Sequence, residues 1–548
     1  MGKLIESEGA RDLLLLALLW FGFSWLFITA SRMFEWGGNE LFIQWLLEVS
    51  GEATKYGLPN IWTPYPTLAT LIFHGIYLLT GGNSFLYWLS FKILNLSCNF
   101  AVIGFTYLIA RTLYGRVTAR WVALVLTFLF PPFYFNVFVN YVFDSVPVAF
   151  MMFAFYLLIK ERYVASALFA AIGGGIKLFP LVVVLISLKY LWGQRQFKEM
   201  GKSILACLLA LSPLLVFLSI NPTIFSSTYR WQIGRPPNET IYNFILWSVN
   251  ASLTVDERYY VDYTGQGLPT GPPVLARPLT PIVQGEMLTV TLPSEMEIGD
   301  HVYINVTVRP QEGGRYKIGL ITTGIRSNRS GRAVFTPWID MQAGGKYRFT
   351  GTEIYHEVWA EPIEDRIWIE KDGVGKIDEV MVVIELGRLF ASYFNIGSTP
   401  SPRILHLPVN PESTVGLMDR VQTAALVVGA IIALYAFVKM SVRKEGAITI
   451  ALFLFCVLFI VIGQWSPQFA LWVLPLILLW RKRGWFSDVA AIGLATIVNI
   501  EYPYSFEGYE LTQSASFAWM FWASIILRTA VFVLICLQIW MSRGKSVI

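Results

Sequence analysis

Residues 145–159 read SVPVAFMMFAFYLLI, and residues 163–177 read YVASALFAAIGGGIK. The first run has no charged residue, and the second has only the lysine at its end. Crossing the hydrocarbon core of a bilayer, roughly 30 Å thick, takes about 20 apolar residues, or somewhat fewer in a packed bundle. Both runs therefore predict helices that lie in a membrane.

Similar apolar runs recur on both sides of this pair and predict about twelve membrane spans. They lie near residues 12–31, 85–110, 118–140, 145–159, 163–177, 178–192, 203–220, 416–440, 446–463, 466–480, 485–501 and 516–541. The composition agrees, because 55% of the 548 residues are hydrophobic and 14% are charged. Soluble domains usually carry about 25% charged residues. A soluble enzyme is therefore excluded, and the chain is predicted to be a polytopic α-helical membrane protein.

The orientation depends on the apolar segment at residues 65–81. If this segment dips into the membrane without crossing it, the positive charges between spans collect on one side, which the positive-inside rule makes the cytoplasm. These charges are Lys3, Arg11, Arg111, Arg116, Arg120, Lys160, Arg162, those within residues 189–202, Lys439, Arg443, Lys444, those at 481–483, Arg543 and Lys545. Both chain ends are therefore predicted to be cytoplasmic. The formal net charge of +5 reflects this loop bias and does not indicate nucleic-acid binding.

Residues 252–412 differ from the rest in being rich in Pro, Gly and charge. Strand-like alternation at 287–292, 302–308 and 366–370 favours a β-sandwich-like domain outside the cell membrane. The chain is thus divided into an N-terminal membrane module at 1–251, whose first external loop is 32–84, this inserted β-rich domain, and C-terminal helices at 413–548. The four cysteines all lie in apolar runs, so no disulfide framework is predicted for the β-rich domain.

The first external loop holds two carboxylates near the point where the first span leaves the membrane. Glu35 and Glu40 are placed to meet a lipid-borne substrate, and solvated loop acids are the ordinary alternative. Glu40 also opens a segment at 41–46 whose apolar residues favour an amphipathic helix at the membrane interface.

Two ionisable residues lie at the external ends of later spans. Asp144 stands at the junction of the third and fourth spans, where a charged group suggests function. Capping of the helix that starts at Ser145 is an equal alternative. Lys177 ends the glycine-rich run shortly before Pro180. A snorkelling lysine is the alternative, but snorkelling lysines prefer the cytoplasmic side, so the position favours function.

The external segment at 229–243 concentrates polar and charged groups that include Asn238 and Glu239. Its two arginines, Arg230 and Arg235, suit bidentate binding of a phosphate. Arginines solvated at the membrane surface are an equal alternative.

Another external turn, at 464–475, places Ser466 and Gln468 beside aromatic residues that could pack a prenyl chain or stack on a sugar. Tyr65 lies in a proline- and aromatic-rich part of the first loop. All these residues are predicted on one side of the membrane, as expected of a site assembled from loops of several spans.

The sequence also lacks some common functional signals. Its four histidines show no metal-ligand spacing, so no metal site or cofactor is predicted. The sequence does not exclude binding of a divalent metal ion. It has no phosphate-binding loop of the nucleotide type, which argues against ATP or a nucleotide sugar. Glu501 and Arg528, in or beside the last two spans, are interpreted as a structural pair, with contact to a substrate as the alternative.

In chain order, several of these residues resemble the motifs of the GT-C superfamily of membrane glycosyltransferases, in particular family 87 and the enzyme that adds the first mannose of the GPI anchor. The matching elements are Glu40, Tyr65-Pro-Thr-Leu, Asp144, Ile176-Lys-Leu-Phe-Pro, the loop from Arg230 to Asn243, and Ser466-Pro-Gln-Phe-Ala-Leu-Trp. The resemblance covers residues 1–250 and 415–548 and implies a GT-C-like bundle. It does not cover the β-rich domain.

The resemblance implies an inverting transfer of a hexose, with mannose favoured, from a polyprenyl or dolichyl phosphate to an extracytoplasmic glycan or glycolipid. It implies Glu40 as the catalytic base, with Glu35 in reserve, although family members usually have an aspartate there. Asp144 would assist. The phosphate ligands implied are Lys177, Arg230 and Arg235, and the substrate-binding residues are Tyr65, Asn238, Glu239, Ser466 and Gln468.

Two other classes share some of these features. A transporter or flippase of lipid-linked saccharide would need similar external loops, but transporters more often show repeated halves, and none is evident. A surface sensor or adhesin would use the β-rich domain, yet twelve spans exceed what anchoring requires. The partners expected are the lipid-linked donor, the acceptor and membrane lipids.

Overall fold

The computed structural model describes most of the chain outside its longer loops. The described residues are 2–33, 40–61, 63, 65–139, 143–222, 225, 240–242, the ten strands given below, 313, 342–345, 411–440, 444–462, 465–480, 484–505 and 515–542. They fall into two compact units. One comprises Met1–Leu58, Tyr65–Ile220 and Val421–Ile548, and the other comprises Pro59–Pro64 and Asn221–Arg420.

The first unit is built from α-helices. Their bounds are α1 Gly2–Met33, α2 Glu40–Tyr56, α3 Thr67–Thr80, α4 Ser84–Tyr114, α5 Arg116–Val139, α6 Ser145–Ile159, α7 Tyr163–Ile176, α8 Leu181–Gly193, α9 Phe197–Ile220, α10 Pro411–Lys439, α11 Lys444–Val461, α12 Ala470–Leu479, α13 Trp485–Asn499 and α14 Ala515–Ser542. The beginning of α10 belongs to the other unit. Short 3-10 helices occur at Leu58–Asn60 and Pro467–Phe469, and a π-helix follows α13 at Ile500–Ser505.

Every predicted span overlaps one of these helices, so the protein is a helical membrane protein. Within the described residues, four helices are long and apolar enough to cross a membrane on their own: Glu8–Leu26, Ser84–Tyr114, Phe197–Ile220 and Trp519–Ser542. Several others are shorter, and twelve spans stay a prediction. Helix α3, in the segment at 65–81, has 14 residues. At 1.5 Å per residue it is about 21 Å long, shorter than a bilayer core.

The second unit carries the strands. They are β1 Tyr259–Asp262, β2 Pro273–Leu279, β3 Glu286–Thr291, β4 His301–Pro310, β5 Gly314–Thr322, β6 Arg332–Phe335, β7 Ile339–Met341, β8 Tyr347–Ile354, β9 Glu364–Lys371 and β10 Val380–Leu389. One sheet has the order β1-β8-β4-β10-β2, and the other has β3-β9-β5-β6 with β7 also paired to β5. Each pairing is antiparallel. The three stretches with alternating sequence overlap β3, β4 and β9. Their assembly into an extracytoplasmic sandwich-like domain, and the domain bounds, stay predictions.

Helix α6 positions the interior of the first unit. It packs between α4 and α7, and its buried residues occur on every side of the helix, among them Val148, Met152 and Phe155. A helix that is apolar all round belongs in the middle of a bundle. The residue immediately before it, Asp144, is consequently carried into the interior.

An ionic cluster joins α1, α4 and α5 near the start of α1. The buried Asp12 carboxylate accepts hydrogen bonds from Tyr107 Oη at 2.8 Å, Arg116 Nε at 2.8 Å and Arg120 Nη2 at 2.6 Å. Arg116 also pairs with Glu8, whose side chain is 47% exposed. One buried carboxylate thus ties three helices together.

We expect Asp12→Asn to lower stability by about 1–3 kcal/mol, because the buried donors lose a charged acceptor. The measurement is the thermal unfolding midpoint of the purified protein in nanodiscs. The control is Glu8→Gln, which weakens a half-exposed pair worth about 0–1 kcal/mol. Equal shifts in the two variants would contradict this assignment of the cluster.

Candidate active site

Asp144 and Lys177 form an ion pair inside the first unit. Lys177 Nζ lies 2.7 Å from Asp144 Oδ1 and donates a hydrogen bond to it. The Asp144 side chain is 0% exposed and that of Lys177 is 18% exposed. The lysine therefore binds a partner within the protein, which favours a functional role over a snorkelling lysine.

Asp144 stands directly before α6 but does not cap it. Its side chain makes no capping hydrogen bond to the helix. Instead Oδ1 accepts a second hydrogen bond from the indole Nε1 of Trp472 at 2.9 Å. Oδ2 is buried and has no hydrogen-bond partner among the described residues. Because the side chain does not bond to the helix, the helix-cap alternative is wrong. An unsatisfied buried carboxylate oxygen is costly, so Oδ2 is available to accept a hydrogen bond from a ligand.

The glycines before Lys177 allow the close packing that fixes its position. A Cβ atom at Gly173 would lie 2.9 Å from Phe150 Cβ and 3.1 Å from Pro180 Cβ. The Lys177 amide donates to the Gly173 carbonyl at 2.9 Å, and Lys177 itself is extended, with φ −148° and ψ 139°. Helix α7 thus ends in tight contact with its neighbours immediately before the lysine.

Aromatic rings surround the ion pair on the side of α12. Lys177 Nζ lies 5.5 Å from the ring centroid of Phe469 and 5.9 Å from that of Trp472. Phe179 stacks on Trp472 with centroids 3.7 Å apart and an interplanar angle of 19°. Cations are attracted to aromatic faces at this range. The rings therefore stabilise the ammonium group and screen it from water.

The 3-10 turn Pro467–Phe469 carries the Phe469 ring and leads directly into α12, which carries the Trp472 ring. Ser466 is extended, and its carbonyl accepts a hydrogen bond from the Phe469 amide at 2.8 Å, which closes the 3-10 turn. The Ser466 hydroxyl and the Gln468 side-chain oxygen hydrogen-bond to each other. Phe469 and Trp472 therefore contact the ion pair, whereas the two polar residues selected from the sequence contact each other.

A second apolar cluster flanks the pair. Tyr65 packs edge-on against Phe143, the neighbour of Asp144, with centroids 6.2 Å apart. The buried Ile43 of α2 and Ile176, the neighbour of Lys177, belong to the same cluster. The predicted amphipathic helix is present as α2, and its apolar face packs beside the residues next to the ion pair.

Several predicted site residues lie outside the described part of the chain. They are Glu35, Arg230, Arg235, Asn238 and Glu239. Glu40 is described only as the first residue of α2. The gathering of Glu40 and the arginines with Lys177 therefore stays a prediction.

The model of glycosyltransferase family 87 matches residues 62–269. Residues 62–269 therefore belong to glycosyltransferase family 87. No curated protein and no solved structure matches the chain.

The match supports a glycosyltransferase built into a helical membrane protein, and the predicted resemblance to family 87 is confirmed over residues 62–269. It favours a glycosyltransferase over the transporter and sensor classes. The matched region of the glycosyltransferase includes Asp144, Lys177 and Phe179, while Phe469 and Trp472 lie beyond it.

The sequence did not single out Phe179, Phe469 and Trp472 of this glycosyltransferase. All three lie within motifs that were noted for the resemblance. The signal in the sequence was the mixture of polar and aromatic residues near a predicted external turn. That mixture does not indicate which aromatic ring contacts a charged residue.

The glycosyltransferase site combines a cation, a carboxylate oxygen without a described partner and aromatic faces. An ammonium group has three donors, and its described hydrogen bonds use one. The site can therefore bind an anionic oxygen at Lys177 and a hydroxyl at Asp144 Oδ2, next to rings that favour apolar or sugar groups. Within the described residues, no group of three or more His, Cys, Asp or Glu side chains is arranged to hold a metal ion.

We expect Gly173→Ala to destabilise the glycosyltransferase by about 1–3 kcal/mol and to reduce its activity, because the new methyl group would overlap rigid neighbours and displace Lys177. The control is Gly201→Ala in α9, where a Cβ meets nothing within 4 Å. That change should raise stability by about 0.5–1 kcal/mol. Thermal unfolding midpoints and glycosyl-transfer rates measure both effects, and an unimpaired Gly173→Ala enzyme would contradict the packing argument.

Proposed function

We propose that this glycosyltransferase moves a hexose, with mannose favoured, from a polyprenyl or dolichyl phosphate to a glycan or glycolipid acceptor outside the cytoplasm. The observation that carries the proposal is the ion pair between Lys177 and the buried Asp144, which lies within the family 87 region and against aromatic rings. A lipid-linked donor suits a site that a membrane-embedded helix bundle encloses. The absence of a nucleotide-type phosphate loop in the sequence agrees with this donor class.

The proposed reaction is one substitution at the anomeric carbon, with inversion. The acceptor hydroxyl oxygen forms a bond to that carbon, while the bond from the carbon to the phosphate oxygen breaks. The departing polyprenyl phosphate takes the electron pair, and a carboxylate base takes the hydroxyl proton. Phosphate is already a good leaving group, so the protein must supply mainly a base and a cation.

Lys177 is the cation in this proposal. Its ammonium group would bind the phosphate oxygens and stabilise the charge that develops as the phosphate departs. In the structure the group bonds to Asp144, so an arriving phosphate would share or replace that contact. Arg230 and Arg235 would add bidentate contacts to the phosphate.

Asp144 and the nearby rings would orient the sugar and the lipid. Asp144 Oδ2 would accept a hydrogen bond from a sugar or acceptor hydroxyl, which removes the penalty of its unsatisfied burial. Phe469 and Trp472 would contact the sugar face or the prenyl chain. Tyr65, Asn238, Glu239, Ser466 and Gln468 would complete the substrate contacts.

Glu40 is the proposed base, with Glu35 in reserve. Glu40 begins α2, which also supplies Ile43 to the apolar cluster beside Asp144 and Lys177. A rigid helix that starts near this cluster suits the placement of a base. The β-rich segment would help to choose the acceptor.

The donor class is tested with purified protein in nanodiscs. A panel of radiolabelled polyprenyl-phosphate sugars is supplied with membrane glycolipid acceptors, and release of free polyprenyl phosphate is followed. Transfer from at least one lipid-phosphate hexose is expected. Transfer from nucleotide sugars alone would overturn the proposed donor.

We expect Lys177→Ala to reduce kcat by about 10²- to 10³-fold, because the leaving phosphate loses its cation. Lys177→Arg keeps the charge and should retain more activity. The control is Lys189→Ala in α8, another lysine that bonds within the protein, to the carbonyls of Val438 and Met440. Its kcat should stay within about twofold of wild type, because the substitution removes no described contact with Asp144 or Lys177. If Lys177→Ala behaves like this control, the phosphate assignment is wrong.

We expect Glu40→Gln to reduce kcat by about 10²- to 10⁴-fold, as loss of a general base does. The matched control on the same helix is Glu52→Gln, which removes an i,i+3 pair with Lys55 whose atoms are 3.2 Å apart. The control should retain activity. Full activity of Glu40→Gln, measured as release of polyprenyl phosphate, would remove the base assignment.

A further inference from the structure

The first unit contains a second ion pair, and both of its side chains are buried. Arg528 in α14 donates from Nη1 to both carboxylate oxygens of Glu501, which lies in the π-helix at Ile500–Ser505. The Glu501 side chain is 0% exposed and that of Arg528 is 3% exposed. Both residues lie outside the region that matches the family model.

Stability alone is a weak reason for this pair. Burying two charges incurs a desolvation penalty that their attraction often only balances, so an apolar pair would serve stability as well. A π-helical turn is a rare distortion that occurs frequently at functional sites. The pair therefore calls for a role connected with the site.

Arg528 also contacts an aromatic ring that leads to the site. Its guanidinium carbon lies 4.2 Å from the ring centroid of Trp465, within the range of a cation–π interaction. Trp465 is buried, with 2% of its surface exposed, and directly precedes the turn that presents Phe469 and Trp472. The planar guanidinium group of an arginine can stack on an indole ring, and a lysine cannot reproduce this stacking.

Ring contacts continue from Trp465 to the first ion pair. Trp465 and Phe469 have centroids 6.0 Å apart, and Phe469 and Trp472 have centroids 4.5 Å apart. Phe459 packs against all three rings, at 4.9 Å from Trp465, 6.1 Å from Phe469 and 5.6 Å from Trp472. Trp472 then donates to Asp144, and Phe469 lies beside Lys177.

We propose that Arg528 and Glu501 are positioning residues for glycosyl transfer. Glu501 fixes the guanidinium of Arg528, which holds the Trp465 ring and thereby sets the turn at 466–469. The position of this turn then aligns the Trp472 indole with Asp144 and the Phe469 ring with Lys177. This inference rests on the proposed role of Asp144 and Lys177 in transfer.

The test compares Arg528→Gln with Arg528→Lys and with a control at the Asp12 cluster. Arg528→Gln removes both the ion pair and the guanidinium stacking, whereas Arg528→Lys keeps a charge for Glu501. Arg120→Gln removes an ion-pair partner of Asp12, 2.6 Å away, with no described contact to the aromatic rings. Thermal midpoints, kcat and the donor KM are measured for each variant in nanodiscs.

A ¹⁹F NMR signal reports on Trp472 directly. The protein is labelled with 5-fluorotryptophan, and the Trp472 resonance is assigned by its loss in Trp472→Phe. Arg528→Gln should shift this resonance and reduce kcat by about 10²-fold, the usual effect of a displacement of about 1 Å at a reacting centre. The donor KM should change less, Arg528→Lys should recover part of kcat, and Arg120→Gln should lower the thermal midpoint without moving the resonance.

An unmoved Trp472 resonance and a wild-type kcat in Arg528→Gln would overturn the inference. If Arg528→Gln does not fold, Trp465→Leu carries the same test, since it removes the ring that Arg528 holds and leaves the ion pair in place, and the same two results would overturn the inference. If wild-type protein transfers sugar from no lipid-phosphate donor, the proposed function fails. The resonance shift still decides the positioning role in that case.

Discussion

The contact between Lys177 and Asp144 is the interaction on which the account of this glycosyltransferase depends. Charged side chains inside a membrane protein usually pair with one another, so each residue explains the presence of the other. The buried helix α6 brings Asp144 inward, and the glycine-rich end of α7 brings Lys177 against it. The Trp472 indole then satisfies Asp144 Oδ1 and leaves Oδ2 for a ligand. The result is a charged, largely buried site whose ion pair lies within the family 87 region.

One aromatic cluster connects this pair to a second one. Lys177 lies beside Phe469 and Trp472 at one end, and Arg528 lies on Trp465 at the other. Aromatic rings pack in specific geometries, and their faces attract cations. The turn between the two tryptophans is therefore fixed from both sides, which is how helices distant in sequence can control one hydrogen bond to Asp144.

Local patterns in the sequence predicted part of this arrangement. The apolar runs predicted where the helices lie. Asp144 and Lys177 were predicted as site residues because they are ionisable and stand at the ends of spans. The partner of Asp144 was not predictable, because Trp472 is 328 residues away and is one of 20 tryptophans in a chain with 39 phenylalanines. Composition does not tell which ring meets a charge. The same holds for Glu501 and Arg528, whose pairing was anticipated but whose contact with Trp465 was not.

The most direct test is a structure of the protein in lipid nanodiscs with polyprenyl phosphate bound. We expect a phosphate oxygen within hydrogen-bonding distance of Lys177 Nζ, about 2.7–3.2 Å, with the aromatic rings of Phe469 and Trp472 beside the ligand. A phosphate bound elsewhere, with the Lys177–Asp144 contact unchanged and no ligand atom near either residue, would contradict it.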